Sequence, residues 1–121
     1  MQNTSPIISL VPVLPSANIE RDTNWYATYL GFTLTYKEEG YVVLKRDHYY
    51  IHLQWHANTE EDPVYGSVIK FFVDDIMPFF KEMLEYGIIT EDKLHLNTPW
   101  NTNEFGFYDL NKNAIYFVES H

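Results

Sequence analysis

Residues 99–117 read Pro99-Trp100-Asn101-Thr102-Asn103-Glu104-Phe105-Gly106-Phe107-Tyr108-Asp109-Leu110-Asn111-Lys112-Asn113-Ala114-Ile115-Tyr116-Phe117. The alternation after Asn103 predicts a strand over Glu104–Tyr108. A polar turn follows, then a closing strand over Ala114–Glu119. Ahead of them stands an indole held by a proline in polar surroundings, which suits a ligand-stacking surface.

Working back from this run, the chain repeats itself. Ile7–Leu14 is apolar and β-branched and predicts a buried strand, with Pro12 confining it to an edge or a bulge. Pro15–Asn18 is a turn in which Ser16 or Asn18 caps a helix over Ile19–Leu30. Trp25, Tyr26, Tyr29 and Leu30 recur at helical spacing and are core residues. Gly31 closes the helix. Three strands follow, Phe32–Lys37, Tyr41–Lys45 and Tyr49–Trp55, and Ala57–Pro63 is an acidic connecting loop. The second copy opens with a strand over Ser67–Val73. Asp74 or Asp75 caps a helix that ends at Tyr86 and Gly87, with Pro78 in its first turn. Short strands at Ile88–Thr90 and Lys93–Leu96 precede the final pair. The helix motif Phe79-Phe80…Met83-Leu84…Gly87-Ile88 echoes Trp25-Tyr26…Tyr29-Leu30-Gly31-Phe32. The expectation is an α+β domain over residues 1–121. It holds two βαβββ repeats, about 7–57 and about 66–119, which pack together because neither alone buries its sheet.

Composition narrows the function. Eight Lys and Arg against seventeen Asp and Glu give a net charge of −9. That balance opposes a nucleic-acid partner, which needs a basic footprint, and permits a cationic ligand. There is no Cys, so disulfides, thiolate chemistry and Cys-ligated zinc are excluded. No apolar run suggests a membrane span and the N-terminus lacks a basic region, so the expected location is the cytoplasm. Ten Tyr, eight Phe and three Trp suggest strands, an interface or a flat ligand.

The duplicated pattern resembles the vicinal-oxygen-chelate superfamily, which holds glyoxalase I, extradiol dioxygenases, and fosfomycin- and bleomycin-resistance proteins. Within it the chain most resembles the bleomycin-resistance proteins. Val11-Pro12-Val13-Leu14-Pro15…Trp25-Tyr26…Leu30-Gly31-Phe32 fits their early pattern. Pro99-Trp100…Glu104-Phe105…Asp109…Asn113 fits their late Pro-Trp-Gly…Arg-Glu-Phe…Asp-Pro-x-Gly-Asn pattern. Asn101 and Lys112 stand at the family's glycines, Asn103 at its Arg and Leu110 at its Pro. With those glycines and that proline gone, the turn at Asn111-Lys112-Asn113 must take its left-handed geometry from Asn.

The resemblance implies a cup-shaped mixed sheet and a homodimer, compact or with exchanged N-terminal strands. It also implies sequestration of a bleomycin-like or other flat cationic ligand in clefts between subunits. Carried over, the stacking residues are Tyr41 and Trp100. Tyr36 and Phe72 are further cleft walls or core residues, and His52 falls near a ligand position. Lys70 replaces an aromatic of the fifth strand. The superfamily's metal positions fall on Val11, Val68 (or Ser67) and Tyr116, a poor donor set. His48, His52 and His56 lie on a predicted strand, where four residues span about 13 Å, too far apart for one ion. No catalytic group, metal set or cofactor is assigned. The alternative is a metal-dependent glyoxalase-like or dioxygenase-like enzyme using His52, Tyr116 and an acidic residue.

Overall fold

The computed structural model describes residues 5–120. In chain order it contains β1 (Val13–Ser16), α1 (Ile19–Leu30), β2 (Thr33–Glu38), β3 (Tyr41–Arg46), β4 (Tyr49–Trp55), β5 (Val68–Phe72), α2 (Met77–Glu85), β6 (Thr102–Tyr108) and β7 (Ala114–Ser120). They form two mixed sheets, ordered β1-β4-β3-β2 and β5-β7-β6. In each sheet the strand before the helix pairs in parallel with the last strand after it.

Local chemistry explains the helix ends. Asn18 adopts an extended backbone, and its side chain accepts from the Arg21 amide at 3.0 Å. Gly31 closes α1 at φ 69, in the left-handed region where a side chain is strained. At α2 the expected aspartate acts one residue early. Asp75 accepts from the Met77 amide at 3.0 Å, while Ile76 occupies the cap position itself.

Two expectations fail at the strand level. Ile7–Leu14 is not a strand: β1 starts at Val13, and Ile7, Ile8 and Leu10 are 87%, 93% and 88% exposed. The register explains this. Val13 lies opposite His52, so Leu10 would face Tyr49, and residues 7–9 would run past the start of β4. The second repeat also lacks its first two post-helix strands. The chain after α2 instead makes a 3₁₀ turn at Glu91–Lys93 and an isolated bridge between His95 and Glu104. The second module is thus one strand short of the first.

Alternation sorts each strand into two faces. Leu14, Val42, Leu44, Ile51 and Leu53 of the first sheet are buried, as are Phe105, Phe107, Ile115 and Phe117 of the second. They meet Tyr26, Leu30, Phe80 and Met83 of the helices in one apolar core. Phe105 and Phe117 stack with ring centroids 5.3 Å apart. The opposite faces of both sheets point away from this core.

A buried polar junction ties the last turn to the first strand and helix. Asp109 accepts from the Tyr26 hydroxyl (2.6 Å), the Asn113 side chain (2.8 Å) and the amides of Asn111 (2.8 Å) and Asn113 (3.0 Å). Asp22 accepts from the Ser16 hydroxyl (2.5 Å), the Asn111 side chain (2.6 Å) and Arg21 Nε (2.9 Å). Burial first, and then the Asp109 carboxylate, push the Tyr26 phenol far above its ordinary pKa. The left-handed residue of the turn is Lys112, at φ 62. Its asparagines serve instead as hydrogen-bonding partners, which corrects the expectation that Asn would take that conformation.

Candidate functional site

The candidate residues lie on the two outer faces. On the first sheet, register places Val13, His52, Val43 and Tyr36 in one row, since cross-strand partners share a face. Tyr41 and Gln54 form the next row. The Tyr41 hydroxyl lies 2.6 Å from His52 Nδ1, with the two rings edge-on at 5.3 Å. Tyr36 is half exposed and donates to Glu38 at 2.8 Å. That hydrogen bond raises the pKa of the Tyr36 phenol. Tyr36 is therefore a surface residue of the sheet and not part of the core.

On the second sheet, Phe72, Val118 and Glu104 share a row, and Lys70, Tyr116 and Gly106 the row beside it. Phe72 is 67% exposed, so it too lies outside the core. The Tyr116 ring covers Gly106: a Cβ there would sit 2.6 Å from two ring carbons. Lys70 Nζ lies 5.8 Å from the centroid of that ring.

Trp100 occupies a tight turn against the same sheet. The Asn101 amide donates to the Thr98 carbonyl at 2.9 Å, and the Thr98 amide to the Thr102 carbonyl at 2.9 Å. Asn101 has φ 65, so the family's glycine position is filled by a residue that tolerates the left-handed region. The indole Nε1 donates to Glu104 Oε2 at 3.2 Å, and Thr102 Oγ1 to the same oxygen at 2.8 Å. Trp100 stays 63% exposed, and no ring contact or cation–π contact to it is found among the described residues.

The five candidates thus fall into two groups. Tyr36, Tyr41 and His52 lie on the first sheet, and Trp100 and Phe72 on the second. No hydrogen bond or ring contact joins the groups among the described residues. A cavity of about 610 Å³ lies elsewhere, between residues 9–12, the β3–β4 turn and the open edge of β5. Its walls include Pro12, Arg46, Tyr49, Phe72 and Phe79, so of the five candidates only Phe72 reaches it.

The metal positions of the superfamily's enzymes do not suit an ion here. Val11 precedes β1, Val68 has no donor atom, and Tyr116 lies flat on Gly106. Among the described residues no three His, Cys, Asp or Glu side chains are grouped to hold a metal. His52 and Tyr116 are on different sheets. Of the histidine triplet only His52 lies on a strand: His48 precedes β4, and His56 follows it, 2.7 Å from Asp62.

Sequence reasoning missed Glu104 as a face residue and considered Tyr116 only as a poor metal position. The signal was present in the alternation of Glu104 with Phe105 on β6 and of Tyr116 with Ile115 and Phe117 on β7. It also missed the buried junction, whose trace is the two-residue spacing of Asp109, Asn111 and Asn113.

With this geometry described, known proteins can be compared. No model of a protein family matches the chain. A bleomycin resistance protein of Geobacillus stearothermophilus is 24% identical over 128 residues, covering 93% of this chain and 97% of its own. One from Staphylococcus aureus matches equally. A crystal structure of a bleomycin-binding protein complexed with bleomycin superimposes with TM-score 0.75, at 18% identity. It covers 95% of this chain and 100% of its own. The chain is similar over nearly its whole length to bleomycin resistance proteins and shares the fold of glyoxalase/bleomycin resistance protein/dioxygenase structures. The fold serves more than one activity, since a lactoylglutathione lyase from Agrobacterium tumefaciens superimposes with TM-score 0.77. That match is 17% identical and covers 95% of this chain and 96% of its own. No helix among the described residues is long and apolar enough to cross a membrane.

Proposed function

We propose that this protein binds and sequesters a flat, cationic small molecule without catalysing its conversion. The observation that carries this reading is the exposed Trp100 indole, fixed by Glu104 on a face that also presents Phe72 and Tyr116. An exposed indole whose edge is anchored offers stacking area at little cost in side-chain entropy. The likeness to bleomycin resistance proteins supports bleomycin, or a compound like it, as the ligand.

The two groups of candidates support a homodimer. In a two-fold dimer the first-sheet face of one copy, with Tyr36, Tyr41 and His52, closes over the second-sheet face of the other, with Trp100 and Phe72. Each dimer then holds two equivalent clefts. The exposed apolar residues Ile7, Ile8 and Leu10 favour exchange of this segment between copies. Tyr41 and Trp100 are the two stacking residues, Tyr36 and Phe72 the flanking walls, and His52 sets the orientation of Tyr41.

The test is a titration with bleomycin followed by tryptophan fluorescence, with light scattering to count the subunits. Saturable quenching that disappears in Trp100→Ala is expected, at one drug per subunit of a dimer. Quenching that survives in Trp100→Ala removes the proposed site. Absence of binding removes bleomycin as the ligand.

A further inference from the structure

The acidic partner of Trp100 has chemistry to spare. Glu104 uses Oε2 twice, for the Trp100 indole N–H and the Thr102 hydroxyl. Its other carboxylate oxygen takes no hydrogen bond among the described residues. The ion pairs found among those residues are Arg21–Asp22, Arg46–Asp47 and His56–Asp62, so Glu104 has no cationic partner. Glu119, one row away, lies on the opposite face of the sheet. Glu119 accepts only from the Ile76 amide (3.1 Å) and the Asn103 side chain (3.0 Å), both neutral.

Among the described residues His95 pairs with Glu104 through the backbone of an isolated bridge but forms no ion pair with it, and Lys70, on the same sheet face, is poorly placed to neutralise it. Lys70 belongs to β5 and Glu104 to β6, with β7 between them. Two strand spacings are about 10 Å. That exceeds the screening length of about 8 Å at physiological salt. Lys70 also sits over the Tyr116 ring, one row away from Glu104.

We infer that Glu104 selects the charge of the ligand: it pairs with an amidinium, guanidinium or ammonium group carried at the edge of the flat ring that stacks on Trp100. This inference rests on the binding reading above and assigns its specificity to one residue. The carboxylate fixes the indole through one oxygen and presents the other at the indole's edge. A planar cation in contact with the ring is thereby brought to the oxygen left without a partner. An amidinium suits this arrangement best, because its N–H groups lie in one plane and pair side-on with carboxylate oxygens.

The test uses two small probes of nearly the same shape, benzamidine, which is cationic, and benzamide, which is neutral. Each is titrated into the whole protein while the Trp100 indole N–H resonance is followed, assigned by its loss in Trp100→Phe. Benzamidine should bind about tenfold more tightly than benzamide, the ratio that corresponds to about 1.4 kcal/mol. In Glu104→Gln the amide oxygen still accepts from the indole, and the preference for benzamidine over benzamide should vanish. The preference should also shrink as salt is raised. Equal binding of the two probes to the native protein overturns the inference. So does a preference that persists in Glu104→Gln, or no response of the indole resonance to either probe at millimolar concentration. The bleomycin titration is a separate result. Bleomycin bound without charge preference at Glu104 leaves the sequestration reading in place, and a charge preference without bleomycin binding leaves Glu104 in place and changes the ligand.

Discussion

The junction around Asp109 and the outer face around Glu104 are both acidic, and they are opposites in use. Asp109 is buried and receives four hydrogen bonds, from a phenol, an amide side chain and two backbone N–H groups. Glu104 lies on an outer face, with one oxygen engaged twice and the other not. A buried carboxylate is tolerated only when its lone pairs are satisfied, so the junction's polar groups are committed to the fold. An outer-face carboxylate faces no such demand and is available to a ligand. The difference separates residues whose loss should unfold the protein from residues whose loss should change only binding.

The sharpest way to break this contrast is at Asp109. Asp109→Ala leaves the Tyr26 hydroxyl, the Asn113 side chain and two amides without their acceptor. Each unsatisfied buried group costs about 1–3 kcal/mol, partly relieved by relaxation and water. The expected loss is about 4 kcal/mol in urea unfolding. Trp100→Ala should cost less than about 0.5 kcal/mol in the same assay, because exposed side chains contribute little. Similar losses at the two sites would end the distinction.

A second test targets the backbone side of the junction. Gly66 packs against the last turn, and a Cβ there would sit 2.0 Å from the Lys112 carbonyl oxygen. Neither backbone can yield without moving the Ser67 amide off Asn113, which it reaches at 2.8 Å. Gly66→Ala should therefore destabilise by about 3 kcal/mol, as overpacking against backbone does. A stability near that of the native protein would show the turn to be pliant.

How much of this was readable beforehand depends on what fixes each element. The helices and β2, β3 and β4 were legible, because periodicity and capping are local: α1 and β4 fall on their expected boundaries. The Ile7–Leu14 strand was misread because an apolar β-branched run shows propensity and not the presence of a partner strand. Residues 88–96 were misread for the same reason. The candidate residues were legible as a list, but their split between two sheets depends on register, which the sequence leaves open. Charge selection at Glu104 was hidden, because it depends on which oxygen of a carboxylate is already engaged.

Lys112 allows a gentler test of the same turn. It is held at φ 62, which costs an L-residue roughly 1–2 kcal/mol. Glycine removes that strain and returns roughly 0.5–1 kcal/mol through the greater entropy of the unfolded chain. Lys112→Gly should therefore stabilise by about 0.5 kcal/mol, read as a higher urea midpoint at unchanged slope. A loss would mean that the lysine side chain contributes something at this turn beyond its backbone.

The smallest effect belongs to the loop between the modules, where Asp62 is half-exposed and yet well bonded. It accepts from the Ala57 amide at 2.8 Å and lies 2.7 Å from His56 Nδ1. The hydrogen bond from His56, and then that from the Ala57 amide, hold its carboxyl below the ordinary value of 3.8. A carboxyl lowered in the folded state stabilises above its unfolded value, and that contribution is lost as pH falls through the folded one. Native protein and Asp62→Asn should therefore differ slightly at neutral pH and converge under acid below about pH 4. The loop is solvated, so the difference should be small beside that at Asp109, and raised salt should shrink it further. Curves that stay parallel down to the acid limit would mean that the His56–Asp62 pair does not hold in solution.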